Sequence, residues 1–135
     1  MDDDADTGAA DEGVVEETLL ERIGGASAVL DALEIFYDRV FADDLLAPFL
    51  EGVDPQVLLE KQYDFLGRML EASEYDADRL RSAHQGLVDR GLGDPHFDAY
   101  LALLRVALAG AEVPEDCIDE VIAAFETTRD DVLCR

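Results

Sequence analysis

Basic residues are scarce in this chain, with ten lysines and arginines against 33 aspartates and glutamates and a formal net charge of −23. Only one of the ten is a lysine, Lys61. Because so few cations are available to neutralise phosphate, nucleic acid and anionic membrane surfaces are poor partners. Acid-rich, lysine-poor surfaces are typical of halophilic proteins, in which salt screens the self-repulsion of the fold. An ordinary acidic protein at low salt is the alternative.

Cysteines and long apolar runs are also rare. The two cysteines, Cys117 and Cys134, are too few for a disulfide scaffold, and neither has a CxxC companion for a metal site. We expect Cys117 to fill the core and Cys134 to be exposed near the terminus. No stretch approaches the roughly 18 apolar residues of a membrane span, and no signal peptide is recognisable. A reduced, cytoplasmic setting is expected.

The acidic residues are concentrated at the start of the chain. Eight of them precede residue 18, and no base offsets them there. This composition predicts a disordered acidic N-terminal arm over residues 1–16. Because 49% of the residues are hydrophobic, we expect residues 17–135 to form one globular domain.

The remaining segments have helical periodicity, and no alternating strand pattern is present. Four substantial helices are predicted. They run from the N-cap Ser27 to about Ala42, from Pro55 to about Ala72, from Asp94-Pro95 to Gly110, and from Pro114 to Val132, the last apolar position. A short helix over Glu17–Ile23 precedes them. Between Ser73 and Gly93 the pattern predicts one or two helical turns near Leu80, then a loop over Gly86–Gly93. The fold is therefore all-α, and this pattern fits a helical bundle as well as a globin.

Two polar side chains lie on otherwise apolar helical faces. Tyr37 shares a stripe with hydrophobic residues between Ala28 and Phe41, and Gln62 shares one between Pro55 and Leu70. Burying a phenol and a carboxamide is costly unless each finds a hydrogen-bond partner. The pattern therefore predicts a small polar guest inside an apolar pocket.

The two histidines have different expected roles. His84 follows Leu80 by four residues, and its imidazole is a candidate metal ligand, although a lone histidine is more often a surface or core residue. His96 lies in the first turn after Asp94-Pro95, where we expect it to be exposed and without function. Motifs for other chemistries, including GxSxG, GxGxxG, the P-loop and paired ExxH, do not occur.

Taken together, the pattern resembles the group I truncated haemoglobins, short globins with a two-over-two helical sandwich around haem. The resemblance covers about Thr18 to Val132. It is carried, in order, by Gly24-Gly25, Phe36-Tyr37, Arg39-Val40, Leu45 to Phe49, Gly52, Lys61-Gln62, Phe65, Ala83-His84-Gln85-Gly86 and His96-Phe97. Each piece is weak alone, but their order and spacing are specific.

The resemblance implies haem b (iron protoporphyrin IX) as cofactor. His84 then matches the proximal iron ligand, Tyr37 the distal tyrosine that hydrogen-bonds dioxygen, and Gln62 the glutamine that supports it. Leu58 matches the distal gate. The other matched positions that line or flank haem are Phe36, Phe49, Leu50, Phe65, Leu80 and Phe97.

Three features depart from the family pattern. Leu50 stands where a phenylalanine often packs on haem, and Glu71 to Glu74 replace a second glycine pair. The loop after His84 is expected to be longer than usual. These departures affect one haem contact and the path around the proximal helix, and they leave the ligand and the distal pair in place.

The implied function is reversible binding of dioxygen, with nitric oxide and carbon monoxide as further ligands. Oxidation of nitric oxide to nitrate with an external reductase is the alternative, so enzyme activity stays open. A gas sensor would need an output domain, which this chain does not show. A haem-free helical interaction module is the structural alternative, and it leaves the inward Tyr37 and Gln62 unexplained.

Overall fold

The computed structural model describes residues 17–72 and 74–135, and every regular element in them is a helix. The predicted acidic arm, residues 1–16, lies outside the described residues. The helices are α1 (Leu19–Ile23), α2 (Gly25–Ala42), α3 (Pro55–Ala72), α4 (Ala77–Asp89), α5 (Asp94–Gly110), α6 (Glu115–Glu126) and α7 (Arg129–Val132), with a 3-10 turn at Ala47–Leu50. The all-α prediction is confirmed. Within the described ranges, no helix has both the length and the apolar character needed to cross a membrane.

The junction of α1 and α2 depends on a capping box and a glycine. Thr18 Oγ1 accepts a hydrogen bond from the Glu21 amide at 3.2 Å, and the Glu21 carboxylate accepts one from the Thr18 amide at 2.9 Å. Gly24 then adopts a φ of +115°, which lets α2 begin directly at Gly25. The prediction of Ser27 as N-cap is therefore wrong, because the glycine turn starts the helix two residues earlier.

Helix α4 is longer than the sequence pattern predicted, which was one or two helical turns near Leu80 and a loop over Gly86–Gly93. The structure instead has a 13-residue helix, capped by Asp76, whose carboxylate accepts from the Arg79 amide at 3.0 Å. No residue of α4 is fully buried. A helix that lies at the surface does not need a complete apolar stripe, so its sequence periodicity is weak.

The end of the chain differs from prediction in a similar way. The stripe predicted one helix reaching Val132, but α6 ends at Glu126. The hydroxyls of Thr127 and Thr128 donate to the carbonyls of Ala124 and Phe125, at 2.6 and 2.7 Å. Threonine side chains that bond to nearby carbonyls compete with continuation of a helix. The chain turns there and α7 follows.

The core lies between two pairs of helices. α2 packs on α3, α5 packs on α6, and the two pairs meet through α2 and α5. The largest fully buried side chains are Leu33, Phe36, Leu104, Ile118, Val121 and Thr128. Cys117 is buried as predicted, whereas Cys134 is half-buried and its thiol donates to the Arg81 carbonyl, so its predicted exposure is wrong.

An arginine fixes α7 to the start of α5. The Arg129 guanidinium forms ion pairs with Asp94, Asp98 and Glu126 and lies 4.5 Å from the centre of the Phe97 ring. A cation over an aromatic face is attracted by the ring quadrupole. This contact holds the buried Phe97 ring in place beneath the site described next.

Candidate functional site

Three aromatic rings form one face of the candidate site. Phe36 and Tyr37 are adjacent on α2, and both are buried, with Tyr37 7% exposed. The Phe36 ring makes edge contacts with Tyr37 and with Tyr100 of α5, at centroid distances of 4.9 and 4.7 Å. Such edge-to-face contacts restrict ring orientation. The two phenols are therefore held around a common, fully buried ring.

Gln62 of α3 reaches the same place. Its side-chain Nε2 donates a hydrogen bond to the Tyr100 hydroxyl at 2.6 Å. Gln62 of α3 and Tyr100 of α5 thus meet by their polar ends, beside the Phe36 ring that also contacts Tyr37 of α2. Gln62 therefore has a hydrogen-bond partner within the protein.

Burial raises the pKa of both phenols. Tyr100 is half-buried as a residue, but protein surrounds its hydroxyl, and that burial raises the pKa of Tyr100 well above its ordinary value. Burial also raises the pKa of Tyr37. Both groups are therefore neutral phenols that keep a hydrogen to donate.

His84 has a defined tautomer. It lies on α4 and is half-buried, and its Nδ1 is 2.7 Å from the Leu80 carbonyl oxygen, one turn earlier. A carbonyl can only accept, so Nδ1 carries the proton and Nε2 keeps its lone pair. Hydrogen bonding of one ring nitrogen to a backbone carbonyl is how proteins orient a histidine for ligation through the other.

The other histidine, His96, has a structural role. Its Nδ1 accepts a hydrogen bond from the Gly93 amide at 3.0 Å, which caps the start of α5. Its ring also makes an edge contact with Phe49, whose face carries the Arg90 guanidinium at 5.5 Å. His96 is half-buried because of these contacts, and the prediction that it is exposed is wrong.

The remaining candidate lining residues lie at several places around these groups. Phe97 is buried and stacks on Tyr100 with a centroid distance of 6.5 Å. Phe65 packs between Tyr75 and Phe125, at 6.2 and 5.9 Å. Three aliphatic candidates are half-buried: Leu50, Leu58 and Leu80. Of the candidate lining residues, Phe36 and Phe97 thus contact the Tyr100 ring directly.

Tyr100 is the site residue that sequence reasoning missed. Tyr100 lies on the apolar stripe of α5 with Phe97 and Leu104, and a tyrosine satisfies a hydrophobic pattern as well as a phenylalanine does. The available signal was the one already used for Tyr37, a phenol on an otherwise apolar face. Applying that rule to α5 would have identified a third polar group.

Known proteins are similar to this chain over most of its length. A family model described as bacterial-like globin matches residues 18–134. The group 1 truncated hemoglobin GlbN of Synechocystis sp. is 40% identical over 108 residues, which cover 78% of this chain and 87% of that protein. The group 1 truncated hemoglobin of Tetrahymena pyriformis is 31% identical over 87% of this chain and 95% of that protein.

Solved structures agree. The 2/2 hemoglobin of Synechococcus sp., in the cyanomet state with covalently attached heme, has a TM-score of 0.81 at 37% identity. The match covers 88% of this chain and 100% of that one. The Fe(III) form of the Tetrahymena pyriformis protein has a TM-score of 0.77 at 31% identity, covering 87% of this chain and 98% of that one. The predicted two-over-two sandwich is thereby confirmed. The chain belongs to the bacterial-like globin family and, within it, to the group 1 truncated haemoglobins, which bind diatomic gases at haem.

Proposed function

We propose that this globin binds dioxygen reversibly at haem b, with His84 as the iron ligand and Tyr37 as the hydrogen-bond donor to the gas. The observation that carries the proposal is the fixed tautomer of His84. Its Nδ1 is committed to the Leu80 carbonyl at 2.7 Å, so the free lone pair lies on Nε2. A neutral imidazole nitrogen is the donor with which globins hold haem iron.

The donor set fits this cofactor. Haem supplies four of its own nitrogen ligands to the iron, so the protein needs to add only one. When bound, haem provides an iron with a further coordination position for a diatomic gas. The chain contains no CxxCH sequence, and its cysteines, Cys117 and Cys134, are far apart in sequence. We therefore propose haem b held without a thioether bond, mainly by shape and apolar contact.

Tyr37 provides the polar contribution on the gas side. Its hydroxyl is buried, and because burial raises its pKa, the phenol keeps its hydrogen and can donate it. A ligand with partial negative charge, as dioxygen acquires at ferrous haem, is stabilised by such a donor. A hydrogen bond to a charged group contributes about 1.5–3 kcal/mol. Tyr37 therefore favours dioxygen over carbon monoxide, which carries less charge.

Apolar residues keep water away from this donor. Phe36 is fully buried beside Tyr37, Phe97 is buried beneath Tyr100, and Leu58 lies half-buried on α3 one turn before Gln62. In a water-poor pocket a hydrogen bond is electrostatically stronger than in solvent. Under this proposal the same apolar residues form the haem contact, together with Phe49, Leu50, Phe65 and Leu80.

Haem titration of the purified protein tests the proposal. Uptake of one haem per chain, followed by reversible binding of dioxygen to the reduced protein, is the expected result. A folded chain that takes up no stoichiometric haem would instead be a helical interaction module. Rapid mixing of the dioxygen complex with nitric oxide then distinguishes storage from dioxygenation. Nitrate formation that is sustained only with a reductase identifies the enzymatic alternative.

A further inference from the structure

We propose that Asp131 of α7 is a positioning residue for the proximal histidine. Its carboxylate holds Tyr75, just before α4, and Arg81, within α4, and so fixes how this helix presents His84. The inference rests on the proposed function, in which His84 is the iron ligand, and deepens it. It gives the short helix α7 a role in orienting a ligand that lies on another helix.

Helix α4 has little to hold it in place by itself. None of its residues is fully buried, and the helix on which it packs most extensively is α7. Segments with few buried contacts open locally at a low cost in free energy. The bond from His84 Nδ1 to the Leu80 carbonyl orients the ring relative to α4 but does not place α4 relative to the rest of the fold. The position of α4 therefore depends on its contacts with α7.

The Asp131 carboxylate makes the central polar contact between these elements. Its Oδ2 accepts a hydrogen bond from the Tyr75 hydroxyl at 2.8 Å, and its Oδ1 accepts one from Arg81 Nη1 at 3.0 Å. An isolated ion pair at the surface contributes little. Here, however, the Asp131 side chain is only 22% exposed and both of its oxygens are used. Bonds to an ionised carboxylate are stronger than neutral ones, and two of them fix its orientation.

Arg81 is well placed to transmit this contact to His84. The two residues are three positions apart on α4, so their side chains lie on one face of the helix. Both are half-buried, whereas Ser82 and Ala83 between them are exposed. The Arg81 carbonyl also accepts a hydrogen bond from Cys134 Sγ at 3.3 Å, which is a second link to the segment after α7. Holding Arg81 against this segment therefore sets the rotation of α4 about its own axis.

Both sides of the contact are anchored to the rest of the fold. The Tyr75 ring packs on Phe65 of α3 at a centroid distance of 6.2 Å. On the other side, α7 is held to α5 by the ion pair of Arg129 with Asp94 at 2.9 Å. Because Asp131 lies between two anchored groups, it can transfer their positions to α4.

Hydrogen exchange of the α4 amides and resonance Raman spectroscopy of the reduced, haem-loaded protein test this role. Asp131→Ala removes both bonds, and we expect the amides of α4 to exchange about 2- to 10-fold faster, as for the loss of a typical hydrogen bond. The iron–histidine stretching band should shift or broaden, because His84 is then less well oriented. The stretching band of bound carbon monoxide, which reports the gas side, should keep its wild-type position.

Glu120→Ala is the matched control. It also removes a carboxylate that accepts two hydrogen bonds, both from Arg22, at 3.0 and 2.6 Å, but this pair joins α1 to α6. The exchange of α4 and the iron–histidine band should therefore stay at their wild-type values. Arg81→Gln breaks the Asp131 ion pair from the α4 side and should reproduce the effects of Asp131→Ala. The double variant should show little further change, since residues in direct contact are non-additive.

Three results would overturn the role of Asp131. The first is wild-type α4 exchange in both Asp131→Ala and Arg81→Gln, and the second is an equal change in Glu120→Ala. The third is faster exchange with an unchanged iron–histidine band, because the ion pair would then stabilise α4 without orienting His84. Each can occur in a protein that still takes up haem, in which case only the positioning fails. Absence of stoichiometric haem uptake by the wild type would instead contradict the proposed function itself.

Discussion

Leu80 and His84 are joined by a hydrogen bond of 2.7 Å within a single turn of α4, from the imidazole Nδ1 to the backbone carbonyl. The bond links a sequence feature, the four-residue spacing, to a chemical one, the choice of ring nitrogen that stays free. It also makes the orientation of the proposed iron ligand a property of one surface helix. The predictions below concern this candidate ligand, Tyr37 and the scaffold that holds them.

Tyr37→Phe should speed the release of dioxygen. The variant removes the buried donor but keeps the ring that contacts Phe36. Loss of about 1.5–3 kcal/mol of stabilisation corresponds to about a 10- to 150-fold faster dissociation rate, measured by stopped-flow mixing. The carbon monoxide dissociation rate should change much less. Equal dioxygen rates in the variant and the wild type would show that Tyr37 does not donate to the gas.

Gly24→Ala should destabilise the fold. Gly24 has a φ of +115°, and a β-carbon there would lie 3.0 Å from the Ala28 β-carbon. Strain in this backbone region together with a close contact predicts a loss of about 1–3 kcal/mol in the free energy of unfolding, measured with urea. Gly67→Ala is the matched control, because a β-carbon at Gly67, inside α3, meets nothing within 4 Å. It should stabilise by about 0.5–1 kcal/mol.

Acid should weaken the connection between α7 and α5. Hydrogen bonds from Arg135 and Arg129 lower the pKa of Asp94 to about 2 from an ordinary value of 3.8. Since the folded pKa is the lower one, Asp94 stabilises the fold above about pH 4, and this contribution is lost as the pH falls toward 2. Asp94→Asn should therefore reduce the pH dependence of the unfolding midpoint between pH 4 and 2. An unchanged dependence would show that the pairs contribute nothing.

Salt should stabilise this protein. The chain has 33 acidic and 10 basic residues, so we expect the repulsion between carboxylates to exceed the attraction within the arginine ion pairs. Raising the salt concentration to about 1 M shortens the screening length to about 3 Å and weakens both the repulsion and the attraction. Because the repulsion is the larger of the two, its loss stabilises the fold. The midpoint of thermal unfolding should rise with potassium chloride. A midpoint that falls with salt would mean that the ion pairs of Arg129 and Arg135 dominate.

The sequence predicted well those helices that have both an apolar stripe and a strong terminal signal. Pro55 and Asp94-Pro95 begin helices as expected, and α3 and α5 end at Ala72 and Gly110. α4 was underestimated because a helix with no fully buried residue shows little periodicity. The break after Glu126 was missed because the apolar stripe continues across it, while threonine side chains divert the backbone.

The site was only partly predictable for a related reason. Tyr37 and Gln62 stood out because each is a polar group among hydrocarbon. Tyr100 did not, since a stripe pattern counts tyrosine as hydrophobic, and its pairing with Gln62 is a contact 38 positions away in sequence. The His84 tautomer was also beyond the sequence, because it depends on a distance between a ring nitrogen and a backbone carbonyl.

The absorption spectrum of the reduced, haem-reconstituted protein in high salt, with and without carbon monoxide, tests the central claim most directly when measured beside His84→Gly. We expect an intense Soret band that shifts on adding the gas in the wild type, and altered ligation in the variant that added imidazole restores. His96→Gly is the control, because His96 caps α5 at the Gly93 amide, and it should keep the wild-type spectrum. A His84→Gly variant with the wild-type spectrum would contradict the assignment of His84 as the iron ligand.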